Sequence, residues 1–166
     1  AVGTGSGAGA VPFGSTLGLT SGGVDDLTIT AGTGAVTLTG AVTLNDNDLT
    51  VASSTNSVIT AGISGSTGAL DITDSGTTDV NGDLAMSGAG TITLDAVTLG
   101  ADVSTVGGAI SFGGAVTGDK GSSIAVGTGS GAGAVTFGST LGLTSGGVDD
   151  LSITAGPGAV TLTGAV

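Results

Sequence analysis

The chain has 166 residues, a formal net charge of −12 and 36 glycines, and it contains no Cys, His, Arg, Trp, Tyr or Glu. Thiol nucleophiles, Ser–His pairs, imidazole ligands and guanidinium clamps are therefore excluded. The acidic balance disfavours nucleic acid and anionic membrane surfaces as partners, because both are bound through Lys and Arg. No apolar run in the sequence reaches the length of a membrane span.

Residues 1–42 return almost unchanged as residues 125–166, at an offset of 124 residues. Three of the 42 positions differ: Pro12 corresponds to Thr136, Thr28 to Ser152, and Thr33 to Pro157. Repetition on this scale indicates a modular, elongated protein whose units stack on one another. We therefore expect residues 1–124 to form one full repeat and residues 125–166 to begin the next, within one continuous solenoid that has no separate domains.

The predicted elements are short strands, because apolar residues alternate with small polar ones and no segment has helical periodicity. Gly, Asp, Asn and Ser lie between the strands, as expected of turns. One sub-motif begins with glycine and recurs along the chain: GAVPF at 9–13, GAVTL at 34–38, GTITL at 90–94, GAISF at 108–112, GAVTF at 133–137 and GAVTL at 158–162. The segment 57–60 fits this series as a degenerate strand.

Two further strand series accompany the sub-motif. One runs through Leu17, Val42, Ile63, Val80, Val97, Val116 and Leu141, and the other through Leu27, Leu49, Leu70, Leu84, Val103, Ile124 and Leu151. Three strands in every coil predict an all-β fold, a single-stranded parallel β-solenoid with about 21 residues per coil and about six coils per 124-residue repeat. The crossover rule favours a right-handed β-helix.

Three aromatic side chains and two prolines test this interpretation. Phe112 and Phe137 lie 25 residues apart at equivalent inward positions, so we expect them to meet on adjacent coils, and Phe13 to meet the counterpart of Phe112 in a preceding repeat. Proline removes a backbone donor. We therefore expect Pro12 where the missing N–H has no partner, and Pro157 in a turn between Gly156 and Gly158.

The phrases GAVTFGSTL, DDLTITAGTGAVTLTGAV and GAISFGGAVTG resemble the repeats of large bacterial surface proteins of the filamentous-haemagglutinin type. The resemblance covers the whole chain. It implies a secreted protein with a right-handed β-helical shaft that serves adhesion or an extracellular matrix. The secretion domain and binding tip of that family have no counterpart in this sequence.

Asp is the main candidate ligand. The weak Ca²⁺ candidates are Asp25, Asp26, Asp46, Asp48, Asp149 and Asp150, because hard carboxylate oxygens suit that ion. Their spacing matches neither an EF-hand nor a calcium-binding nonapeptide. The simpler interpretation is that they cap turns and keep an exposed β surface soluble. We therefore expect no cofactor, with Ca²⁺ as the open alternative.

Other motifs favour structure over chemistry. The glycine run at 3–9 lacks the following helix and the lysine of a nucleotide-binding loop. The pairs Asp46/Asp48 and Asp71/Asp74 are formally possible for a glycoside hydrolase, but no aromatic residues are available for sugar stacking. Lys120 is expected in an exposed turn. We expect no catalytic residues and no enzyme activity.

The sequence thus predicts a structural shaft or fibre-forming segment of a secreted or cell-surface protein. Self-association through stacked coils or tandem repeats is expected, without nucleic acid and without a membrane span; any receptor is unknown. The alternative is a binding module with a ligand surface along the shaft, either an adhesin face or an ice-binding face. Thr-x-Thr pairs motivate the latter, although Asp71 and Ser111 interrupt them; the pairs are Thr28/Thr30, Thr37/Thr39, Thr91/Thr93 and Thr161/Thr163.

Overall fold

The computed structural model describes residues 1–5, 7–22, 25–53, 55–144 and 149–166. Within them the protein is all β, without a helix. The strands follow in chain order as β1 (Val2–Gly3), β2 (Val11–Phe13), β3 (Leu17–Gly18), β4 (Leu27–Thr30), β5 (Val36–Leu38), β6 (Val42–Thr43), β7 (Leu49–Ser53), β8 (Ser57–Ile59), β9 (Ile63–Gly65), β10 (Leu70–Val80), β11 (Leu84–Met86), β12 (Ile92–Leu99), β13 (Val103–Ser104), β14 (Ile110–Phe112), β15 (Val116–Gly118), β16 (Ile124–Gly127), β17 (Val135–Phe137), β18 (Leu141–Leu143), β19 (Leu151–Thr154) and β20 (Val160–Leu162).

Every strand pairing is parallel, and each strand pairs with the strand one coil before or after it. The result is a β-solenoid of about 7 coils with roughly 22 residues per coil, which confirms the predicted fold class. Coils vary in length. The step from Ile92 to Ile110 takes 18 residues and the step from Ile110 to Val135 takes 25.

Three faces surround the core. The first face carries β1, β4, β7, the first part of β10, the first part of β12, β14, β17 and β20. The second carries β2, β5, β8, the last parts of β10 and β12, β15 and β18. The third carries β3, β6, β9, β11, β13, β16 and β19. Because β10 and β12 bend across a corner, they join the first two faces into one hydrogen-bonded sheet of 13 strands.

Inward side chains stack in columns of Val, Ile and Leu, as alternation along the strands predicts. Phe112 and Phe137 occupy one such column, and their rings stack with centroids 4.9 Å apart. This contact confirms the prediction for the two phenylalanines. Pro157 lies in an exposed turn, also as predicted. Pro12 lies in β2, which begins the second face, so one edge of its strand has no neighbour in the described residues.

The structure corrects the predicted strand series. Each series was expected to follow one face, yet all three change face near residues 70–80. In the second predicted series, Ile63 lies on the third face whereas Val80 lies on the second. The cause is β10, an 11-residue strand that spans two faces where the sequence analysis assigned Leu70 and Val80 to separate strands. The next coil is also shorter at this corner, because the four residues 73–76 of β10 lie opposite the single residue Asp95 of β12.

The glycine that begins each sub-motif has a role that the sequence did not reveal. A Cβ atom on Gly108 would lie 1.9 Å from the carbonyl oxygen of Gly90, and one on Gly133 would lie 2.2 Å from that of Gly108. Neither glycine has positive φ. The backbones of adjacent coils thus approach too closely at this corner for any side chain, which explains why the motif begins with glycine.

Candidate functional site

Aspartates that directly precede strands of the first face bridge adjacent coils. Asp26 precedes β4, Asp48 precedes β7, and Ala69 precedes β10. The backbone N–H of Asp48 donates to Asp26 Oδ1 at 3.0 Å, and the N–H of Ala69 donates to Asp48 Oδ1 at 2.7 Å. Each carboxylate therefore satisfies a backbone donor of the following coil, at the point where the ladder of strand hydrogen bonds begins.

The third face repeats this arrangement. Asp83 precedes β11 and Asp102 precedes β13. The N–H of Asp102 donates to Asp83 Oδ1 at 3.1 Å, and the N–H of Ala125 donates to Asp102 Oδ1 at 2.9 Å. We call these aspartates the corner carboxylates: Asp26, Asp48, Asp83 and Asp102. In sequence they share one signal, an Asp followed directly by Leu or Val at the start of a strand.

The remaining Ca²⁺ candidates are dispersed among turns. The hydroxyls of Thr20 and Thr144 donate to Asp25 and Asp149, so the two copies of the repeat form the same contact. The N–H of Gly121 donates to Asp149 Oδ1 at 2.6 Å. Asp46 accepts from the Thr67 hydroxyl at 3.4 Å. Asp150 is exposed. Across the described ranges, the structure brings no three acidic side chains together as a group that could hold a metal ion.

Lys120 forms an ion pair with one of the corner carboxylates. Its Nζ lies 2.5 Å from Asp102 Oδ1, with the Lys120 side chain 24% and the Asp102 side chain 40% exposed. Partial burial acts to raise the pKa of Asp102. The hydrogen bond from Lys120, the N–H of Ala125 and the positive charge of Lys120 together outweigh it, so the pKa is held below its usual 3.8. Lys120 is thus a partly buried partner of a coil corner, whereas the sequence predicted an exposed turn residue.

Asn47, which lies between Asp46 and Asp48 in sequence, is a fully buried polar residue. Its Nδ2 donates to Thr20 O at 2.7 Å and to Leu44 O at 2.9 Å, while its Oδ1 accepts from the N–H of Asp25 at 3.0 Å. The amide therefore ties the corner between β6 and β7 to the preceding coil. Such satisfied polar groups fix one local geometry, since an unpaired alternative is costly.

The carboxylate pairs considered for hydrolysis do not form an open groove. Asp74 is buried in the corner of β10, where it accepts from the Thr78 hydroxyl at 3.1 Å. Asp71 belongs to the outward row of the first face, opposite Thr50 and Thr93. Asp46 and Asp48 are exposed and hydrogen-bonded to the next coil. In the glycine run at 3–9, residue 6 lies outside the described residues, and Gly5 has a positive φ of 65°.

Hydroxyl side chains form an outward row on the first face. The ladder aligns Thr28, Thr50, Asp71, Thr93, Ser111, Thr136 and Thr161. The predicted Thr-x-Thr pairs, however, divide between faces, because Thr37 lies on the second face and Thr28 on the first. The structure therefore gives one row interrupted by Asp71, with few complete pairs on any face.

The last coil exposes the side chains that a further coil would cover. Val160 and Leu162 of β20 are each 42% exposed and Leu143 is 43% exposed, although their counterparts in the central coils are buried. Leu143 and Leu162, together with Leu151 and Ile153, line an apolar recess at the end of the solenoid. At the opposite end, Val2 of β1 is 41% exposed. Both ends thus combine apolar side chains with strand backbone that lacks a neighbouring coil among the described residues.

Comparison with known proteins finds no matching family model, no matching curated protein and no matching solved structure. Among the described residues, no helix has both the length and the apolar character needed to cross a membrane.

Proposed function

We propose that this chain is a segment of a structural shaft, part of a fibre-forming repeat protein that is secreted or held at the cell surface. The observation that carries the proposal is the recurrence of nearly the same 42 residues within one continuous solenoid. Each coil lengthens the structure by about 4.8 Å, the spacing of hydrogen-bonded strands. Added repeats therefore extend the molecule in one direction.

The site geometry supports a mechanical role. The corner carboxylates and Asn47 direct their polar atoms at backbone groups of adjacent coils. Their hydrogen bonds join one coil to the next, as the strand ladders do. The resemblance of phrases such as GAVTFGSTL to filamentous-haemagglutinin-type repeats supports the extracellular location and the adhesive or matrix setting.

An imaging experiment tests this proposal. Antibodies raised against the chain should label extended extracellular filaments on intact producing cells. A mutant lacking the gene is the control for specificity. Label confined to the cell interior, or to compact particles released into the medium, would contradict a surface shaft.

Charge gives the shaft an expected response to salt. Residues 1–124 contain eleven Asp and one Lys, so each repeat contributes −10. Parallel shafts should repel one another at low ionic strength and form bundles when salt screens the charge or divalent cations bridge it. Light scattering during titration with NaCl and CaCl₂ measures this. Scattering that changes with neither salt would contradict the prediction that charge controls the lateral association of shafts.

A second candidate function is a binding surface along the first face, either for a receptor or for ice. The outward row from Thr28 to Thr161 supports it, because regularly spaced hydroxyls can match a repeating ligand. A thermal-hysteresis assay on the intact chain tests the ice-binding form, with Thr93→Val as the variant and Thr117→Val on the second face as the control. Loss of hysteresis in the first variant alone would support it; absence of hysteresis in the intact chain would eliminate it.

A further inference from the structure

The repeat does not contain a whole number of coils. Between β1 and β16, its counterpart in the second copy, the chain moves 17 times from one face to the next, because β10 and β12 each span two faces. Seventeen faces at three per coil are five and two-thirds coils. The counterpart of a strand on one face therefore lies on a different face in the next copy.

Strand pairings in the two copies show this displacement directly. β4 lies on the first face, where it pairs with β1 and β7, whereas its counterpart β19 pairs with β16 on the third face. Likewise β5 lies on the second face and its counterpart β20 on the first. Thr161 thus continues the outward row of Thr28, not that of its own counterpart Thr37.

Local contacts are preserved despite the change of face. Gly34 N–H donates to Ala31 O at 2.8 Å, and Gly158 N–H donates to Ala155 O at the same distance in the second copy. Thr20 contacts Asp25 as Thr144 contacts Asp149. The repeated segment therefore keeps its own conformation and is rotated as a unit about the solenoid axis.

We propose that successive repeats of this protein turn by one face, about one third of a revolution, so that a tandem array displays each once-per-repeat surface in three directions. The inference rests on the proposed shaft of tandem repeats. With about 4.8 Å per coil, each repeat advances by about 27 Å, and the same face recurs only after three repeats, or 17 coils, about 82 Å. Without this rotation, a straight shaft of identical repeats would display each once-per-repeat surface on one side only.

The rotation defines the interaction surface that the array offers. The Lys120–Asp102 pair occurs once per repeat, and Asp102 directly precedes β13 of the third face. In the following repeat the pair would lie beside the second face, and then beside the first. A second shaft of this protein therefore meets the same set of surfaces whichever side it approaches, which suits lateral association in three directions more than growth of a flat ribbon.

Chemical cross-linking within the 166-residue chain tests the displacement where it originates. The chain has no cysteine, so paired cysteines can be introduced on a clean background. Ala85 is adjacent to Ser64 on the third face. A six-coil repeat with unbroken strand series would instead place Ala85 beside Asp71, which here lies on the first face next to Thr93. Dibromobimane, which fluoresces only when it bridges two thiols, distinguishes these arrangements.

We expect bridging in Ser64→Cys/Ala85→Cys and none above single-cysteine levels in Asp71→Cys/Ala85→Cys. Val58→Cys/Asp79→Cys is a second pair that should be bridged, since these residues are adjacent on the second face. The circular dichroism spectrum of each variant verifies its folding. Bridging of Asp71 to Ala85, or failure to bridge Ser64 to Ala85 in a folded variant, would overturn the inference.

Cryo-electron microscopy of a lengthened chain separates this inference from the proposed function. Residue 166 corresponds to residue 42, so copies of residues 43–166 appended to the chain continue the repeat. Rods with a rise of about 27 Å and a one-third turn per repeat support both proposals. Rods with no rotation between repeats would overturn the inference alone, while the absence of rods together with the expected cross-links would overturn the shaft alone.

Discussion

The two copies of the repeated segment have nearly the same sequence but opposite patterns of burial. Leu38 in the first copy is 1% exposed, whereas its counterpart Leu162 is 42% exposed. At the other end of the segment the order reverses, because Phe137 of the second copy is buried while Phe13 of the first is only half-buried. The sequence of the segment therefore does not determine which of its side chains form the core.

The difference follows from which neighbouring coils each copy has. Among the described residues, β5 of the first copy lies between β2 and β8, while β20 of the second pairs only with β17. In the same part of the chain, β17 lies between β14 and β20, while β2 pairs only with β5. Stability in a solenoid resides largely in the contacts between successive units. Substitutions at corresponding positions of the two copies should therefore destabilise the protein by unequal amounts. The second copy should be the more sensitive one at the phenylalanines, and the first copy at the leucines.

The largest contrast is expected at the phenylalanines. Phe137→Ala removes a ring that stacks on Phe112, and burial of this kind makes the substitution cost about 3–5 kcal/mol of unfolding free energy. Phe13→Ala removes a half-buried ring from the first strand of the second face, so its cost should be clearly smaller. Denaturant unfolding of both variants measures the difference. Equal costs would contradict the dependence of burial on neighbouring coils.

The leucines should reverse the order of the two copies. Leu38→Ala in the first copy should cost about 2–5 kcal/mol, since its side chain is buried. Leu162→Ala in the second copy should cost much less, because that side chain is already exposed. Hydrogen exchange resolves both effects by region. If alanine substitution of Phe13 and of Leu38 both cost little stability, the first copy as a whole would be less stable. The number of neighbouring coils would then not explain the difference between the copies.

The motif glycines sharpen the comparison at the backbone. Gly133→Ala places a methyl group 2.2 Å from the carbonyl oxygen of Gly108, and relief of this overlap should cost about 1–3 kcal/mol. In Gly9→Ala, the corresponding change in the first copy, the nearest atom is Thr4 Cγ2 at 3.0 Å. That side chain can move, so the loss should be smaller. Thermal unfolding is the measurement, and Gly142→Ala, with open space around it, is the neutral control.

The smallest effect is expected at the Lys120–Asp102 pair. Lys120→Met should cost about 0.2–1 kcal/mol at neutral pH, as is usual for exposed ion pairs. Because folding lowers the pKa of Asp102, its stabilisation is fully present above the unfolded value and is lost as pH falls through the folded value. The difference between variant and parent should therefore vanish in acid. A difference that persists below about pH 2, where carboxylates are protonated, would show that the charge is not its source.

Much of the fold could be predicted from alternation and repetition alone. Parallel coils of about the right length and the Phe112–Phe137 contact follow from the spacing of inward residues. The change of face could not be predicted, because Thr73 to Gly76 have the small polar character of a turn yet belong to the continuous strand β10. Only pairing with both β7 and β8 identifies its two parts.

The candidate site was predictable in its residue type but not in its role. Aspartates at turns were expected to cap local N–H groups, whereas Asp26 and Asp48 accept from the next coil, a partner 22 and 21 residues away. Asn47 lies between two acidic residues, a context typical of exposed turns, and is nevertheless buried. Its burial depends on the preceding coil, which local sequence does not describe. Asp followed directly by Leu or Val at a strand start is the pattern that could have identified the corner carboxylates.

The most direct test of the shaft is a length series. Chains extended by one, two and three copies of residues 43–166 should remain folded, and small-angle X-ray scattering should show the maximum dimension increasing by about 27 Å for each copy while the cross-sectional radius stays constant. This linear growth is the result that an uninterrupted solenoid requires. A cross-section that widens with each added copy, or a maximum dimension that barely changes, would mean that the repeats fold against one another as compact units.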